Sequence, residues 1–90
     1  MLDRRVQKLA RNLVRHSCRL RRGETVLIEA IDIPDAMVEA LVREVAKAKA
    51  HPLVTLKHGR VLRELYRSSR EEGMKLCGEI ERYRMERVDA

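Results

Sequence analysis

The chain has no phenylalanine and no tryptophan, and its only aromatic side chains are Tyr66 and Tyr83. Small self-sufficient domains draw much of their buried area from a few large rings. A core here must therefore be assembled from Leu, Val, Ile and Ala, which suits a domain completed by further polypeptide. Cysteine is also sparse. Cys18 and Cys77 stand far apart with no C-x-x-C, so two reduced thiols in partly apolar helix positions are favoured over a disulfide or a metal pair. No apolar run approaches the ~20 residues of a membrane span. The opening MLDRRVQKLARN is no secretory signal, so the expected location is the cytoplasm, with no membrane partner. Phosphate loops are missing too. The turn Ala30-Ile31-Asp32-Ile33-Pro34 holds no glycine, which disfavours a dinucleotide site of the G-x-G-x-x-G kind. There is no G-x-S-x-G elbow, and Ser17, Ser68 and Ser69 have no base spaced to activate them.

What is present fits one small domain. Ninety residues are too few for a multi-layer enzyme with a roofed active site, and 44% hydrophobic residues exclude disorder by composition. The net charge is +6, with the positives read as spread along the helices and interleaved with Glu. The one dense cluster, Arg19, Arg21 and Arg22, has no aromatic beside it for base stacking. A helix carboxyl end favours the same cations. Nucleic acid is thus disfavoured as a partner, and a basic interaction module for an acidic partner or RNA is the alternative class.

Periodicity orders the elements. Leu2, Val6, Leu9, Ala10, Leu13 and Val14 fall on one helical stripe, with Asp3 at its amino end, the arginine cluster at its carboxyl end and Gly23 as the stop. This predicts a helix from Asp3 to Arg21. Thr25 to Ala30 is β-rich with three consecutive aliphatics, the pattern of a strand covered on both faces in a parallel sheet. Asp32-Ile33-Pro34-Asp35 opens a second helix, whose stripe Met37, Val38, Leu41, Val42, Val45 and Ala46 runs on to Ala50. His51-Pro52 breaks it, and Leu53 to Leu56 gives the second strand. Strand, helix, strand is a βαβ unit, whose crossover is almost always right-handed. It predicts Leu27 and Val54 buried between layers, with Arg43 and Arg70 exposed.

After Gly59 a further helix carries Val61, Leu62, Leu65 and Tyr66 on one face. Ser68-Ser69-Arg70-Glu71-Glu72 twice offers the S-x-x-E capping box for a last helix, with Leu76, Ile80, Tyr83 and Val88 inward. The fold class is α/β, α-βα-βα with two parallel strands, an incomplete Rossmann-like layered domain over residues 1–90. Val88-Asp89-Ala90 stops where a third strand should begin, and two parallel strands leave open edges. The expectation is an amino-terminal domain, a fragment of a longer protein, that pairs with the remainder of that chain and self-associates without it.

No catalytic, cofactor or metal residue is assigned. His16 and Cys18 are two apart and point to divergent helix faces, and His51 and His58 bracket the second strand. Glu29/Asp32 and Asp32/Asp35 follow a strand's carboxyl end, where α/β folds place ligands. Asp32 and Asp35 read more simply as caps for the helix at Pro34.

Lys8-Leu9-Ala10-Arg11-Asn12-Leu13-Val14 followed by Arg22-Gly23-Glu24-Thr25-Val26-Leu27-Ile28 resembles the opening of the aminopeptidase T/aminopeptidase S family of metallo-aminopeptidases. In that family a KLA-x-x-LV helix precedes a "pGe-x-VLI" strand. The resemblance extends through Leu41-Val42-Arg43-Glu44 and Ala48-Lys49-Ala50-His51-Pro52-Leu53-Val54, where the family shows "A-G-A-x-P-x-V". It ends at Arg84-Met85-Glu86-Arg87-Val88-Asp89-Ala90, similar to the family's "RM-x-x-x-DA". Lys49 stands where the family often has a helix-ending glycine. The resemblance implies a parent enzyme that removes amino-terminal residues from peptide substrates with two divalent metal ions, zinc or cobalt. The family's metal ligands and catalytic groups lie in its carboxyl-terminal region, and no residue here maps onto them. The segment would be the supporting domain, inactive alone.

Overall fold

The structure, a computed structural model, describes residues 4–90. Leu2 and Asp3, assigned above to the first helical stripe and its cap, lie outside the described residues. The elements are α1 (Arg4–Asn12) running into a π-helical turn (Leu13–Ser17), β1 (Thr25–Ile31), α2 (Asp35–Lys47), β2 (His51–Lys57), α3 (Gly59–Ser68) and α4 (Glu71–Arg87). β1 and β2 pair in parallel, Thr25 beside His51 through Ile31 beside Lys57. The chain is an α/β domain on one open two-stranded sheet. Among the described residues, no helix is long and apolar enough to cross a membrane.

The first helix is shorter than its stripe predicts. Cys18 N–H donates to the Leu13 carbonyl at 2.9 Å, and Leu20 N–H to that of Val14 at 3.1 Å. Arg19 then turns left-handed at φ 49°. The wider π turn lets Leu20 swing back to pack against the core. The arginine cluster is therefore a loop, not a last helical turn: Arg21 N–H bonds the Glu24 carboxylate at 2.6 Å. Gly23, at φ 84°, adopts a backbone that few other residues tolerate, and its N–H meets the Lys49 carbonyl at 2.9 Å.

β2 is longer than expected, and Pro52 lies inside it rather than before it. His51 N–H donates to the Glu24 carbonyl (2.8 Å) and Asp32 N–H to that of Lys57 (3.0 Å). Odd-numbered β2 residues therefore face β1, and Pro52 turns its missing N–H to the outer edge, where no strand lies among the described residues.

The core is one-sided. Val14, Val26, Ile28, Ala30, Val38, Val45 and Ala50 are buried together, with Leu41 and Val42 packed against them. The layer made by α1, the π turn and α2 covers the inner face of β1 but reaches β2 incompletely. Val54 is 44% and Leu56 58% exposed, and a groove of about 410 Å³ opens beside Val38, Val42 and Leu56. The expected burial of Val54 is thus overturned and Leu27 is half-buried, while Arg43 and Arg70 are exposed as expected.

The outer face carries α4, whose Arg84 Nη2 donates to Thr55 Oγ1 at 2.6 Å. Among the described residues none in α3 or α4 is buried. Leu65, Tyr66, Leu76, Ile80 and Tyr83, predicted to line inner faces, are exposed. The radius of gyration is 15.1 Å, against about 12 Å for a compact chain of this length. The capping boxes do not form either. α4 starts after Arg70, Ser68 Oγ donates back to Glu64 (2.9 Å), and Ser69 N–H closes α3 on the Leu65 carbonyl. A serine that bonds its own preceding turn is no longer available as a cap.

α2 ends at Lys47, short of the expected Ala50, because Lys49 takes φ 59° while Ala50 N–H returns to the Val45 carbonyl at 3.2 Å. A left-handed backbone costs a side-chain-bearing residue about 1–2 kcal/mol, and glycine avoids that cost. Lys49→Gly should therefore stabilise the chain by about 0.5–1 kcal/mol, after allowance for the freer unfolded glycine. Ala48→Gly, at φ −78°, should destabilise it by about 0.5–1 kcal/mol. Urea unfolding of both variants checks the pair.

Candidate functional site

The residues with most claim to chemistry meet at the carboxyl ends of the two strands. The β1–α2 turn brings Asp32 against the start of α3. There Gly59 N–H donates to Asp32 Oδ2 at 3.1 Å, and His58 Nδ1 lies 3.7 Å from Asp32 Oδ1. Asp32 sits at φ 56°, a conformation that Asp and Asn reach more readily than most residues. A Cβ on Gly59 would lie 2.8 Å from Asp32 Oδ2, so a side chain there would make the carboxylate shift. Asp32 is therefore a cap, but of α3 and not of the helix at Pro34. α2 begins after Pro34 with no side-chain cap among the described residues, and Asp35 is its first residue. The sequence gives no hint of this cap, because its partner is 27 positions away.

This arrangement fills the anion seat of α3 from within. A helix amino end attracts negative charge through its unpaired N–H groups, and here the Asp32 carboxylate already takes that place. The pair is also open to solvent, so it lacks the enclosure that strengthens a charged group's action on a substrate. On the outer face, Glu29 forms an ion pair with Lys57. The hydrogen bond from Lys57 holds the Glu29 carboxyl below its usual range, and the same bond raises the Lys57 ammonium. Glu29 is committed to that pair and does not join Asp32 as a second carboxylate.

The remaining candidates stay apart. His16 is exposed on the π turn, with exposed Cys18 just beyond it. His51 opens β2 and His58 follows its other end. Cys77 is exposed on α4. Among the described residues no three His, Cys, Asp or Glu side chains gather in a metal-binding group.

Compared with known proteins, the chain matches no family model and no curated sequence.

Two features were missed in the sequence. Glu44 is 4% exposed in the cleft between α1 and α2. Its Oε1 accepts from Lys47 Nζ at 3.2 Å, and its buried Oε2 has no partner among the described residues. The signal was its place three after Leu41, on the flank of the apolar stripe. The second is the distribution of charge. Eight of the twenty Lys and Arg residues but one of the fourteen acids lie within residues 1–22, so that stretch holds +7 and the rest −1. The positives are thus segregated, not evenly interleaved, and from Arg4 to Arg22 they are all exposed.

If Asp32 serves as a cap, Asp32→Ala should cost about 2 kcal/mol, half from the lost cap and half from the left-handed backbone. Asp32→Asn keeps both an acceptor and a tolerance for that backbone, and should stay within about 0.5 kcal/mol of the parent chain. Thermal unfolding of the two variants checks the difference.

Proposed function

We propose that the chain is the amino-terminal supporting domain of a cytoplasmic metal-dependent aminopeptidase, and that these 90 residues are inactive by themselves. The observation that carries the reading is the α2–β2 corner. The resembling family often has a helix-ending glycine where this chain has Lys49, and Lys49 adopts the left-handed backbone that glycine favours, φ 59°. The other shared motifs also fall on the framework. Lys8–Val14 covers the second half of α1 and enters the π turn, supplying buried Ala10 and Val14, and Arg22–Ile28 forms the turn into β1 and the start of that strand, with buried Val26 and Ile28. In this reading the exposed apolar side chains of β2, α3 and α4 belong against the remainder of the parent chain. Alone, they favour self-association.

The implied parent carries two zinc or cobalt ions, and among the described residues no group is suited to hold them. The scattered histidines share no site, and Asp32 and Glu29 are engaged as a cap and an ion pair. The isolated chain should therefore bind zinc or cobalt no better than the micromolar level of scattered surface histidines, and should not cleave amino-acid anilides. Stoichiometric tight zinc in calorimetry, lost in His16→Ala or His58→Ala, would overturn the reading. The reading frame beyond Ala90 tests the parent directly, since it should encode a region bearing Glu, His, Asp and Tyr.

A second reading, a basic module for an acidic partner or RNA, is favoured by one observation, the +7 held within residues 1–22. Under the first reading, affinity for RNA should sit at ~10⁻⁴–10⁻⁶ M or weaker and fall steeply from 50 to 200 mM salt. A submicromolar, sequence-selective complex at physiological salt, weakened by neutralising Arg19, Arg21 and Arg22, would favour the module.

A further inference from the structure

β1 has a second edge, and it is half occupied. Ala90 N–H donates to the Thr25 carbonyl at 3.2 Å and Leu27 N–H donates to the Ala90 carbonyl at 2.8 Å. One residue bonded to two residues on either side of its neighbour is the pattern of a parallel ladder, and it sets Ala90 opposite Val26. Asp89 closes the entry. Its N–H bonds the Thr25 carbonyl at 2.7 Å, and its Oδ2 accepts from Thr25 N–H at 2.8 Å. The direction and register of a further strand are thus fixed by bonds already made.

The rest of that edge follows from parity. Even-numbered β1 residues turn their backbone groups to β2, because Glu24 and Asp32 both bond there. Odd-numbered residues turn theirs outward. Thr25 and the Leu27 N–H are taken, while the Leu27 carbonyl, both backbone groups of Glu29 and the Ile31 N–H have no backbone partner among the described residues. Alongside lies an apolar groove of about 230 Å³, whose walls include Leu13, Val14, Cys18, Leu41 and Ile28.

We propose that the outer edge of β1 is a docking site for an extended, alternately apolar polypeptide strand, running parallel to β1 in line with Val88–Ala90. Ala90 lies on the inner side with Val26, so the strand's residues opposite Ile28 and Ala30 face the groove and must be apolar. The residue opposite Glu29 lies on the outer side, where a Lys or Arg would share that carboxylate with Lys57. Main-chain bonds supply the affinity and the alternate side chains the selectivity, as in strand addition to a sheet edge. A second copy of the chain is a poor occupant. A two-fold axis would set β1 antiparallel to itself, against the ladder that Ala90 has begun. The inference rests on backbone geometry and is independent of the hydrolase reading.

The test uses the full 90-residue chain and the peptide acetyl-Thr-Val-Lys-Val-Thr-amide, with acetyl-Thr-Pro-Lys-Pro-Thr-amide as control. The same two pentapeptides are also joined directly after Ala90, to raise the effective concentration. Amide hydrogen exchange is followed by NMR. The valine strand should slow exchange at Glu29 and Ile31 by at least tenfold when joined, and shift the same two amides saturably when free. The proline control should do neither. Equal exchange with both pentapeptides, or protection of Val54 and Leu56 on the outer edge of β2 instead, would overturn the proposal. Protection at Glu29 that grows with the concentration of the unmodified chain would overturn the choice of occupant in favour of a second copy.

Discussion

The alternation of β1 is the constraint on which the other elements depend. Its even-numbered residues give their backbone groups to β2 and their side chains to the inner layer, so Val26, Ile28 and Ala30 form the floor beneath Val14, Val38 and Val45. Its odd-numbered residues give their backbone to the opposite edge and their side chains to the face crossed by α4. A shift of one residue would exchange the two sets, moving Glu29 into the core and Ile28 onto the ion-paired face. The π turn and the left-handed residues at Arg19, Asp32 and Lys49 all lie in or beside segments that lead into or out of this strand pair. The irregular backbone of the molecule is concentrated where chain must be fitted to β1.

That concentration explains what could be read from the sequence. The three aliphatics Val26, Leu27 and Ile28 and the α2 stripe identify the βαβ unit directly, because burial against a sheet writes itself into spacing. Where conformation depends on a distant partner, the sequence is mute. Asp32 reads as a cap for the nearest helix, and only the folded loop brings Gly59 to it. Pro52 reads as a breaker, since its tolerance inside β2 depends on which edge is free. The last two helices were found by their own periodicity, yet the stripes that reveal them are exposed. Amphipathicity reports a face fit for burial and leaves open what will bury it.

The candidate site was less legible than the fold. The carboxylates at the carboxyl end of β1, Glu29 within the strand and Asp32 just beyond it, stand near where α/β proteins place ligands, and position alone made them candidates. Geometry gives each a structural partner, Lys57 for Glu29 and the α3 amino end for Asp32. What lies open to solvent is surface: the uncovered flank of β2, the stripes of α3 and α4, and the cationic stretch from Arg4 to Arg22. Each is a surface fit for contact with another polypeptide or polyanion.

Pro52 makes the sheet grow in one direction. An incoming strand on the far side of β2 would need a donor at position 52, and the pyrrolidine nitrogen has none. Recruitment there would begin with a missing rung at the point where the strand enters. A sheet that invites company on one flank and refuses it on the other can gain a neighbour without polymerising. Copies of this chain cannot stack into an open ribbon through both flanks of the sheet, and a solution of it should be slower to form fibrils than its bare edges suggest.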